Sequence, residues 1–452
     1  MKIIIIGCGK VGVTLGAQLA QEEHDVVLID ESAARIQGVP EEIDAIKLVG
    51  NGASIAVQTE AGVETADIMI AVTGSDELNL LCCVIAKKAG NCHTIARVRN
   101  PVYYQEIGFI QEKLGISMIL NPELAAANEI SRILRFPSAI KIDPFAKGRA
   151  ELVKFKVQPE FRLDGLSVMD IDSKYHCDVL ISGVERGDEV VIPDGKYVIH
   201  DGDIVSIMAA PRNSMEFFKK IGVQTNPVTN TMIIGGSKIA VYLARQLTSM
   251  RIRVKIIERD RKRCEELCEH LPDTLIINGD GSNRDLLREE GLDKAEAFVT
   301  LTSMDEENVF LALFAKEISR AKLVTKINRI AFDEIINRMD LGSLIHPKFI
   351  TADTILQHVR AMQNTIGSNV ETLYHILDGK AEALEFQIRE DSEVTNVPLM
   401  KIRLKDNLLI GCINRNGTIR IPRGQDHIQK GDTVIVVTSQ RGLRDIRDIL
   451  KK

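Results

Sequence analysis

The sequence predicts an α/β fold with two tandem Rossmann-like domains, each a doubly wound parallel sheet followed by a small β-rich α+β domain. Three observations support this prediction. The isoleucine run Ile3–Ile6 leads into a glycine motif and then into an amphipathic helical pattern. Apolar strand-like runs alternate with helical stretches as far as Arg135, and short strands joined by Asp-Gly and Gly-Asp turns follow them. The whole succession then restarts at Thr231.

The glycine motif, Gly7-Cys8-Gly9-Lys10-Val11-Gly12, has the GxGxxG spacing of dinucleotide-binding turns. Gly7 permits the tight turn, Gly9 lets the backbone approach a pyrophosphate, and Gly12 allows close packing of helix on strand. The helix that follows offers free N–H groups and a positive dipole end to the phosphates. Asp30 ends the second predicted strand, where a carboxylate can bind both ribose hydroxyls and would repel a 2′-phosphate. The motif therefore predicts NAD or NADH rather than NADP.

Polar residues also follow the later strands of this first domain. Asn51 follows the strand Ala45–Val49, and Thr73-Gly74 follows the strand Asp67–Val72. Arg97 lies near the end of the next strand. Because open parallel sheets bind ligands outside the carboxyl ends of their strands, we expect these residues to face the same crevice as Asp30.

The second copy of the glycine motif is Gly235-Gly236-Ser237-Lys238-Ile239-Ala240. Ser237 replaces Gly9 and adds a Cβ where the backbone must approach phosphate, although its hydroxyl can donate a hydrogen bond to that phosphate. Lys326 replaces Arg97 as a point charge without the bidentate fork of a guanidinium. The remaining counterparts of the first set are Glu258, Asp280 and Thr302. Two interpretations stay open for this copy: a second nucleotide site, or a relic of the duplicated fold.

The repeat divides the chain into six segments. Two Rossmann-like domains, 1–121 and 230–346, are each followed by a helical segment, 122–139 and 347–369. Each helical segment leads to a β-rich domain, 140–225 and 370–452. Duplicated modules of this size are typical of pseudo-symmetric assemblies.

The composition argues against several classes of protein, including general nucleic-acid binders, membrane-spanning proteins and disulfide-rich proteins. The chain has 452 residues, of which 45% are hydrophobic and 27% charged, as in ordinary globular proteins. A formal net charge of −6 argues against a general nucleic-acid binder. No apolar run approaches the roughly 20 residues of a membrane span. The eight cysteines show neither a disulfide framework nor paired zinc-ligand spacing, so we expect reduced and mostly buried thiols and no metal site.

These motifs, their order and their duplication resemble the regulator of potassium conductance (RCK, or KTN) family over essentially the whole chain. The resemblance is carried by the first glycine motif with Asp30, by Thr73 and Asp76-Glu77-Leu78-Asn79, by Arg97, and by the repeat. It implies a regulatory protein that is not an enzyme, binds NAD(H) and in some members ATP or ADP, and forms a cytosolic gating ring. The implied partner is an integral-membrane Trk-type potassium channel or transporter at the cytoplasmic face of the inner membrane, with the subunit soluble when unbound.

The resemblance also assigns roles to residues. Asp30 takes the ribose, Gly7–Val11 the pyrophosphate, and Arg97 a phosphate; Thr73-Gly74 form the far side of the pocket. Asn51 stands where the family commonly has Asp, and its amide can still bind an adenine edge. The helices from Pro122 and Pro347 take the place of the family's crossover helices. Eight modules in a closed ring would make this two-module chain a homotetramer.

Two other functions compete with this interpretation. An NAD-dependent oxidoreductase needs an acid or base poised over the nicotinamide, and the nine histidines are scattered outside any recognisable catalytic setting. A redox-sensing regulator would use Cys8 at the cofactor, but no basic helix-turn-helix for a transcriptional role is apparent. We also expect the basic stretch Arg441–Lys452 to form a helix packed on the last β-rich domain.

Overall fold

The computed structural model describes residues 1–100, 103, 106–136, 138–187, 189–223, 228–328, 336, 339, 341–363, 370–377, 380–440, 442–443 and 445–451. Two of the predicted segment boundaries, at 225 and 369, and the residues Arg441 and Lys452 lie outside this described part. The chain forms two units: residues 1–131 with 229–356, and residues 132–228 with 357–452. The first unit holds both parallel sheets, and the second holds both β-rich domains.

The first parallel sheet is built around the isoleucine run. Its strands are β1 (Lys2–Ile6), β2 (Asp25–Asp30), β3 (Ala45–Val49), β4 (Ile68–Ala71), β5 (His93–Arg97) and β6 (Met118–Leu120). They lie in the order β3-β2-β1-β4-β5-β6, and all neighbours are parallel. Ile3, Ile4 and Ile5 are fully buried, as expected for a central strand that is covered on both faces. The strand order reverses between β1 and β4, which places a ligand crevice beyond their carboxyl ends.

Helices connect these strands. They are α1 (Lys10–Gln21), α2 (Ala33–Gln37), α3 (Ile55–Glu60), α4 (Asp76–Gly90) and α5 (Ile107–Leu114). Cys82 and Cys83 of α4 join Ile4, Ile6 and Met69 in one core. Helix α4 begins at Ser75, whose hydroxyl accepts the Leu78 N–H at 3.1 Å.

The helix α6 (Pro122–Arg135) begins after Asn121, and a β-rich domain follows it. This domain contains β7 (Lys141–Phe145), β8 (Ala150–Lys156), α7 (Val168–Tyr175), β9 (Val179–Arg186), β10 (Glu189–Val191), β11 (Ile204–Ala209) and α8 (Pro211–Lys220). Its sheet is antiparallel in the order β10-β9-β11-β8-β7. Phe155, Phe217 and Phe218 are fully buried in its core.

The second Rossmann-like domain repeats the first. Its strands are β12 (Asn230–Ile234), β13 (Arg253–Glu258), β14 (Leu275–Asn278), β15 (Ala297–Thr300), β16 (Lys322–Lys326) and β17 (Ser343–Ile345). They form a parallel sheet in the order β14-β13-β12-β15-β16-β17. Its helices are α9 (Lys238–Ser249), α10 (Arg261–His270), α11 (Arg284–Glu289) and α12 (Asp305–Ile318).

The helix α13 (Pro347–Gln363) then leads to the last β-rich domain. Its strands are β18 (Val370–Ile376), β19 (Ala381–Gln387), β20 (Leu408–Arg415), β21 (Thr418–Arg420) and β22 (Thr433–Thr438), and its sheet is antiparallel in the order β18-β19-β22-β20-β21. The predicted fold class, with tandem doubly wound sheets and β-rich domains, is therefore confirmed.

The helix that we predicted over Arg441–Lys452 is wrong in type. The described part of this stretch contains a 3₁₀ turn, Ile446–Ile449, capped by Asp445. Ile446 and Ile449 are both buried in the core of the last domain, and a spacing of three residues puts them on one face of a 3₁₀ turn. The segment does pack on the last β-rich domain, but through a single 3₁₀ turn instead of a helix.

Two contacts tie α6 and the residue before it to the second Rossmann-like domain within the first unit. The Asn121 side-chain amide donates to the Tyr242 hydroxyl at 2.9 Å, and the Gln246 amide donates to Asn128 Oδ1 at 2.6 Å. Six apolar side chains of α6 and α13 are buried in the single chain: Ala127, Ile130, Leu134, Ala352, Ile355 and Val359. Among the described residues, no helix combines the length and apolar character that a membrane span requires.

Candidate nucleotide-binding site

The first glycine turn has the backbone geometry that its sequence predicts. Gly7 has φ +105°, and a Cβ built there would lie 2.9 Å from the Thr73 backbone nitrogen. A Cβ on Gly12 would lie 1.9 Å from the Gly7 carbonyl oxygen, so helix α1 packs too closely for any side chain. A Cβ on Gly9 would meet nothing within 4 Å. The turn is therefore tight at both ends and open in its middle, where a phosphate would approach.

The N-terminus of α1 has no side-chain cap. Gly9 is the N-cap residue, with φ −74° and extended ψ, and it offers no hydroxyl or carboxylate to the first-turn N–H groups. Such N–H groups point outward and bind anions together with the positive end of the helix dipole.

Asp30 lies beside this turn and is 4% exposed. Its Oδ2 accepts the Cys8 N–H at 2.8 Å, and its Oδ1 accepts the Ser32 N–H at 2.9 Å. The Arg35 guanidinium lies 3.5 Å from Oδ2. Asp30 thus braces the glycine turn as well as lining the crevice, where each oxygen keeps acceptor capacity for a ribose hydroxyl.

Thr73 and Arg97 are held in place by Asn79 on the opposite side of the crevice. Asn79 Oδ1 accepts the Thr73 N–H at 2.8 Å and the Thr73 hydroxyl at 2.7 Å, while its amide donates to the Arg97 carbonyl at 2.8 Å. The Arg97 guanidinium donates through Nη2 to the Thr73 carbonyl. Arg97 Nε is buried without a hydrogen-bond partner, so one donor of this guanidinium is unsatisfied in the structure.

These residues line a cleft of about 800 Å³ within the first unit. Residues of both Rossmann-like domains contribute to it. The first domain and the start of α6 contribute Gly7, Gly9, Lys10, Val11, Asp30, Arg35, Val72, Thr73, Gly74, Arg97, Pro122 and Glu123. The second domain and the start of α13 contribute Ser303, Met304, Asp305, Glu306, Asn328, Pro347, Lys348 and Thr351.

Burial shifts the pKa of several charged groups around the cleft. It raises the pKa of Glu123 above its ordinary value, against the opposing effect of Arg99, Lys238 and Arg97. It lowers the pKa of Arg97, and Arg99 adds to that effect. It also lowers the pKa of Lys326, which Asp305 and Glu123 partly offset. Poorly solvated cations of this kind gain more from an anionic ligand than exposed ones do.

The structure gathers eight of the predicted residues in this cleft: Gly7, Gly9, Lys10, Val11, Asp30, Thr73, Gly74 and Arg97. It does not place Cys8, Gly12 or Asn51 among the lining residues. Cys8 donates its N–H to Asp30, and Gly12 lies beneath the turn. Asn51 is exposed, and its Oδ1 accepts the Ala53 N–H at 2.9 Å, which closes a local turn.

The predicted residues of the second domain lie outside the lining of this cleft. Ser237 caps its own helix, because its hydroxyl accepts the Ala240 N–H at 3.4 Å, and Ile239 is buried. Glu258 accepts the Gly236 N–H at 2.7 Å. Gly235 has φ +97°, and Lys238 is exposed. The other three predicted residues make hydrogen bonds within the second domain. Asp280 accepts the Ser282 N–H at 2.8 Å, the Thr302 hydroxyl donates to Asn308, and Lys326 donates to the Leu301 carbonyl at 3.4 Å.

Cys8 lies inside the glycine turn as a buried thiol. Burial, reinforced by the nearby Asp30 charge, raises its pKa to about 12. The thiolate, not the thiol, reacts with oxidants, so this cysteine is a poor redox sensor near neutral pH. All eight cysteines are free thiols, and seven of them are buried.

Several lining residues were missed at the sequence level. Arg35 lies in the short helix α2, which follows Asp30 directly in the chain. The sequence could therefore have placed Arg35 near Asp30. Glu123 and Lys348 begin the helices α6 and α13, and nothing in the local sequence indicates that two such distant residues line one cleft.

Comparison with known proteins shows where these domains occur elsewhere. The TrkA-N domain model matches residues 3–122 and 231–347, and the TrkA-C domain model matches residues 152–222 and 383–451. The Trk system potassium uptake protein TrkA of Haemophilus influenzae is 33% identical over 448 residues, which cover 98% of this chain and 96% of that protein. The TrkA homolog 1 of Methanosarcina mazei is 30% identical over the full length of both chains.

The fold also matches solved structures. The GsuK channel bound to NAD superposes with a TM-score of 0.63 at 17% identity, covering 96% of this chain and 76% of that one. The separate GsuK RCK domain gives the same TM-score and is covered to 91%. Both family models occur twice in the order of the two repeats, and the matched relatives span nearly the whole chain, so this protein belongs to the TrkA family of Trk system potassium uptake proteins.

Proposed function

We propose that this chain is the nucleotide-binding regulatory subunit of a Trk-type potassium uptake system, in which a bound nucleotide controls potassium transport by a membrane partner. The observation that carries this proposal is the first glycine turn. Its uncapped helix start, its open Gly9 and its flanking Asp30 and Arg97 together form a site for the ribose and phosphates of a nucleotide.

NAD(H) is the proposed ligand of the first site. Asp30 presents a carboxylate where a ribose would lie, and a 2′-phosphate there would meet that negative charge. The GsuK channel, which shares this fold over most of its length, has been solved bound to NAD. ATP and ADP are alternative ligands, because they share the ribose and phosphate groups that the lining residues contact. The residues of the second domain are proposed as a weaker site, since Ser237 occupies its own helix start.

The proposed role is regulatory rather than catalytic. In a regulatory subunit, a ligand acts by binding two arrangements of the protein with different affinity. The cleft takes residues from both Rossmann-like domains, so a ligand bound there contacts both domains and can favour one arrangement of the two over another. The relatives are named for potassium uptake, and this supports a membrane transporter as partner. The proposed location is beside that partner, at the cytoplasmic face of the inner membrane.

A homotetramer is the proposed assembly, and an exposed pair of side chains supports self-association. Leu81 on α4 is 50% exposed, and Phe310 on α12 is 71% exposed, at equivalent positions of the two domains. The repeat thus presents a large apolar side chain to water twice, and a contact with another chain would remove both from water. We expect the double variant Leu81→Glu, Phe310→Glu to dissociate to smaller species in light scattering, whereas Lys88→Glu, at an exposed polar position of α4, leaves the mass unchanged. A wild-type chain that stays monomeric at micromolar concentration would contradict the tetramer.

Titration calorimetry of the purified full chain with NAD, NADH, ATP and ADP tests the central proposal. We expect saturable binding of at least one of them at micromolar concentration and loss of potassium uptake at low external potassium in a deletion strain. The absence of binding by all four, or normal uptake in the deletion strain, would overturn it.

A further inference from the structure

Each β-rich domain leaves one methionine largely in water, and the two methionines occupy equivalent positions of the repeat. Met169 is 61% exposed in the first domain, and Met400 is 64% exposed in the second. The Met169 N–H donates to the Gly195 carbonyl at 2.9 Å, and the Met400 N–H donates to the Gly424 carbonyl at 2.8 Å. The same backbone hydrogen bond therefore places both side chains beside the same turn, and the fold of the chain buries neither of them.

Three charged positions around these methionines are inverted between the two domains. An acidic residue near Met169 corresponds in each case to a basic residue near Met400, and all six are exposed. The pairs are Asp170 and Lys401, Asp172 and Arg403, and Asp194 and Arg423. Two positions follow the methionine by one and three residues, and the third precedes the glycine that accepts its N–H. Each methionine is thus flanked by charges, predominantly negative in the first domain and positive in the second.

The acidic and basic groups adjoin on the second unit. The Arg423 guanidinium of the second β-rich domain lies 3.8 Å from Asp172 Oδ1 of the first. Their side chains remain 71% and 56% exposed, so this pair leaves both charges accessible to a further partner. We call this surface the methionine face. Its acidic half consists of Met169, Asp170, Asp172 and Asp194, and its basic half consists of Met400, Lys401, Arg403 and Arg423.

The contact between the two β-rich domains inside the chain is a different one. It is an apolar core that includes Phe145, Met208 and Cys412, all of them buried. A Cβ on Gly411 would lie 2.4 Å from Met208 Sδ, so the two sheets approach each other closely there. This core is buried within one chain, whereas the methionine face stays exposed.

A surface that is acidic on one half and basic on the other is complementary to a second copy of itself. A two-fold axis in the plane of the contact, perpendicular to the line that joins the halves, brings the acidic half of each copy against the basic half of the other. The methionines of both copies then leave water together, and each half meets the opposite charge. The Lys- and Arg-rich cytoplasmic loops of a membrane protein would match the acidic half only and would meet like charge on the basic half.

We propose that the methionine face is a contact between two copies of this chain, related by a two-fold axis and paired acidic half to basic half. This contact is additional to the one proposed for Leu81 and Phe310, which lie in the first unit. It involves no nucleotide, so its failure in a test would leave the proposed nucleotide site intact.

Exchange of charges within the repeat tests this contact, because each new residue already occupies the equivalent position of the other domain. Asp170 stays unchanged, since it accepts the Ser167 hydroxyl hydrogen bond in the capping box of α7. Each variant alone sets like charges against each other in the dimer, so we expect self-association to weaken at least about a hundredfold. The acid-to-base variant is Asp172→Arg, Asp194→Arg, and the base-to-acid variant is Arg403→Asp, Arg423→Asp.

Two restorations distinguish this contact from a general effect of charge. A chain that carries all four substitutions again has halves of opposite sign and should associate as the wild type does. An equimolar mixture of the two variants should also associate, because the basic face of one chain matches the acidic face of the other. Arg212→Asp, at an exposed arginine of α8 outside the methionine face, is the matched control and should leave self-association unchanged.

Sedimentation equilibrium of the full chain without nucleotide measures the mass at micromolar concentration. Each chain is measured alone and with Leu81→Glu, Phe310→Glu, which removes the other proposed contact. In that background we expect a dimer when the methionine face is intact and monomers for either charge-exchange variant. Thermal unfolding checks that the variants fold. Masses that neither exchange changes in either background would overturn the inference, and so would a four-substitution chain or a mixture that stays dissociated.

Discussion

The two Rossmann-like domains share one framework around their glycine turns. Gly7 and Gly235 have φ values of +105° and +97°. In each copy a carboxylate at the end of the second strand accepts the next N–H of the turn: Asp30 in the first, at 2.8 Å, and Glu258 in the second, at 2.7 Å. Asn79 and Asn308 make the same three-way contact to a threonine and to the fifth strand.

The two copies differ where a ligand would lie. Gly9 leaves its helix start uncapped, whereas Ser237 bonds its own helix. The Arg263 guanidinium donates to the Gly236 carbonyl at 2.8 Å in the second copy. The comparison indicates that hydrogen bonds which hold the fold persisted after duplication, while the groups that face a ligand diverged.

The largest effect is expected for Gly12→Ala, although the second copy has Ala240 at the equivalent position. The added Cβ would lie 1.9 Å from the Gly7 carbonyl oxygen, and backbone cannot yield as a side-chain end can. We expect a loss of about 3 kcal/mol in the free energy of unfolding. The matched control is Gly16→Ala on the same helix, where the nearest atom is Leu28 Cδ2 at 3.1 Å, and its effect should stay below about 1 kcal/mol. Equal unfolding midpoints for the two variants would show that the first turn accommodates alanine as the second does.

Asp30→Ala is expected to weaken NADH binding by about 1–3 kcal/mol, because two ribose hydroxyls lose a charged acceptor. Glu258→Ala should have the smaller effect if the first domain is the principal site. Calorimetric titration of both variants measures the difference directly. Similar losses of NADH affinity in the two variants would indicate that both domains bind NADH equally well. An unchanged NADH affinity in Asp30→Ala would show that Asp30 does not bind the ribose.

Gly9→Ser gives helix α1 of the first domain the same N-cap residue as helix α9 of the second domain, where Ser237 is the N-cap. The backbone at Gly9 is extended, and a Cβ there meets nothing within 4 Å, so the serine fits without strain. Its hydroxyl would then accept a first-turn N–H, as Ser237 does, and compete with phosphate. We expect nucleotide binding to weaken by about 1 kcal/mol while the melting temperature without nucleotide stays equal or rises slightly. Ser237→Gly is the reciprocal variant, and tighter binding by Gly9→Ser would show that the free helix start is not the phosphate site.

The smallest effect concerns Glu123. Burial raises the pKa of this carboxyl in the folded protein, so folding is favoured below its ordinary value of 4.5 and this contribution is lost as the pH rises through the folded pKa. Glu123→Gln should therefore unfold at a higher temperature than wild type at pH 7, and the difference should shrink toward pH 4. The exposed Glu60→Gln should show no such pH dependence. A Glu123→Gln variant less stable than wild type at pH 7 would indicate that attraction to the nearby Arg99, Lys238 and Arg97 charges outweighs the cost of burying the carboxylate.

The sequence by itself determined the fold class and most of the residues that the first domain contributes to the cleft. Four β-branched residues before GxGxxG specify a buried central strand, a tight turn and a helix start, all through local geometry. Asp30 could be placed beside Cys8 because parallel β1 and β2 bring the ends of neighbouring strands together. Thr73 and Arg97 follow from the same rule for β4 and β5.

The tertiary structure decided which residues form the other wall of the cleft. Glu123, Asp305 and Lys348 line the same cleft as the first glycine turn because the two domains belong to one compact unit. The hydrophobic pattern of the sequence does not predict which residues of two distant segments share a cleft. It also decided that Ser237 caps its own helix rather than facing the cleft. Local patterns report contacts along one strand or helix, whereas the charge balance of a shared cleft depends on side chains that are distant in the chain and adjacent only after packing.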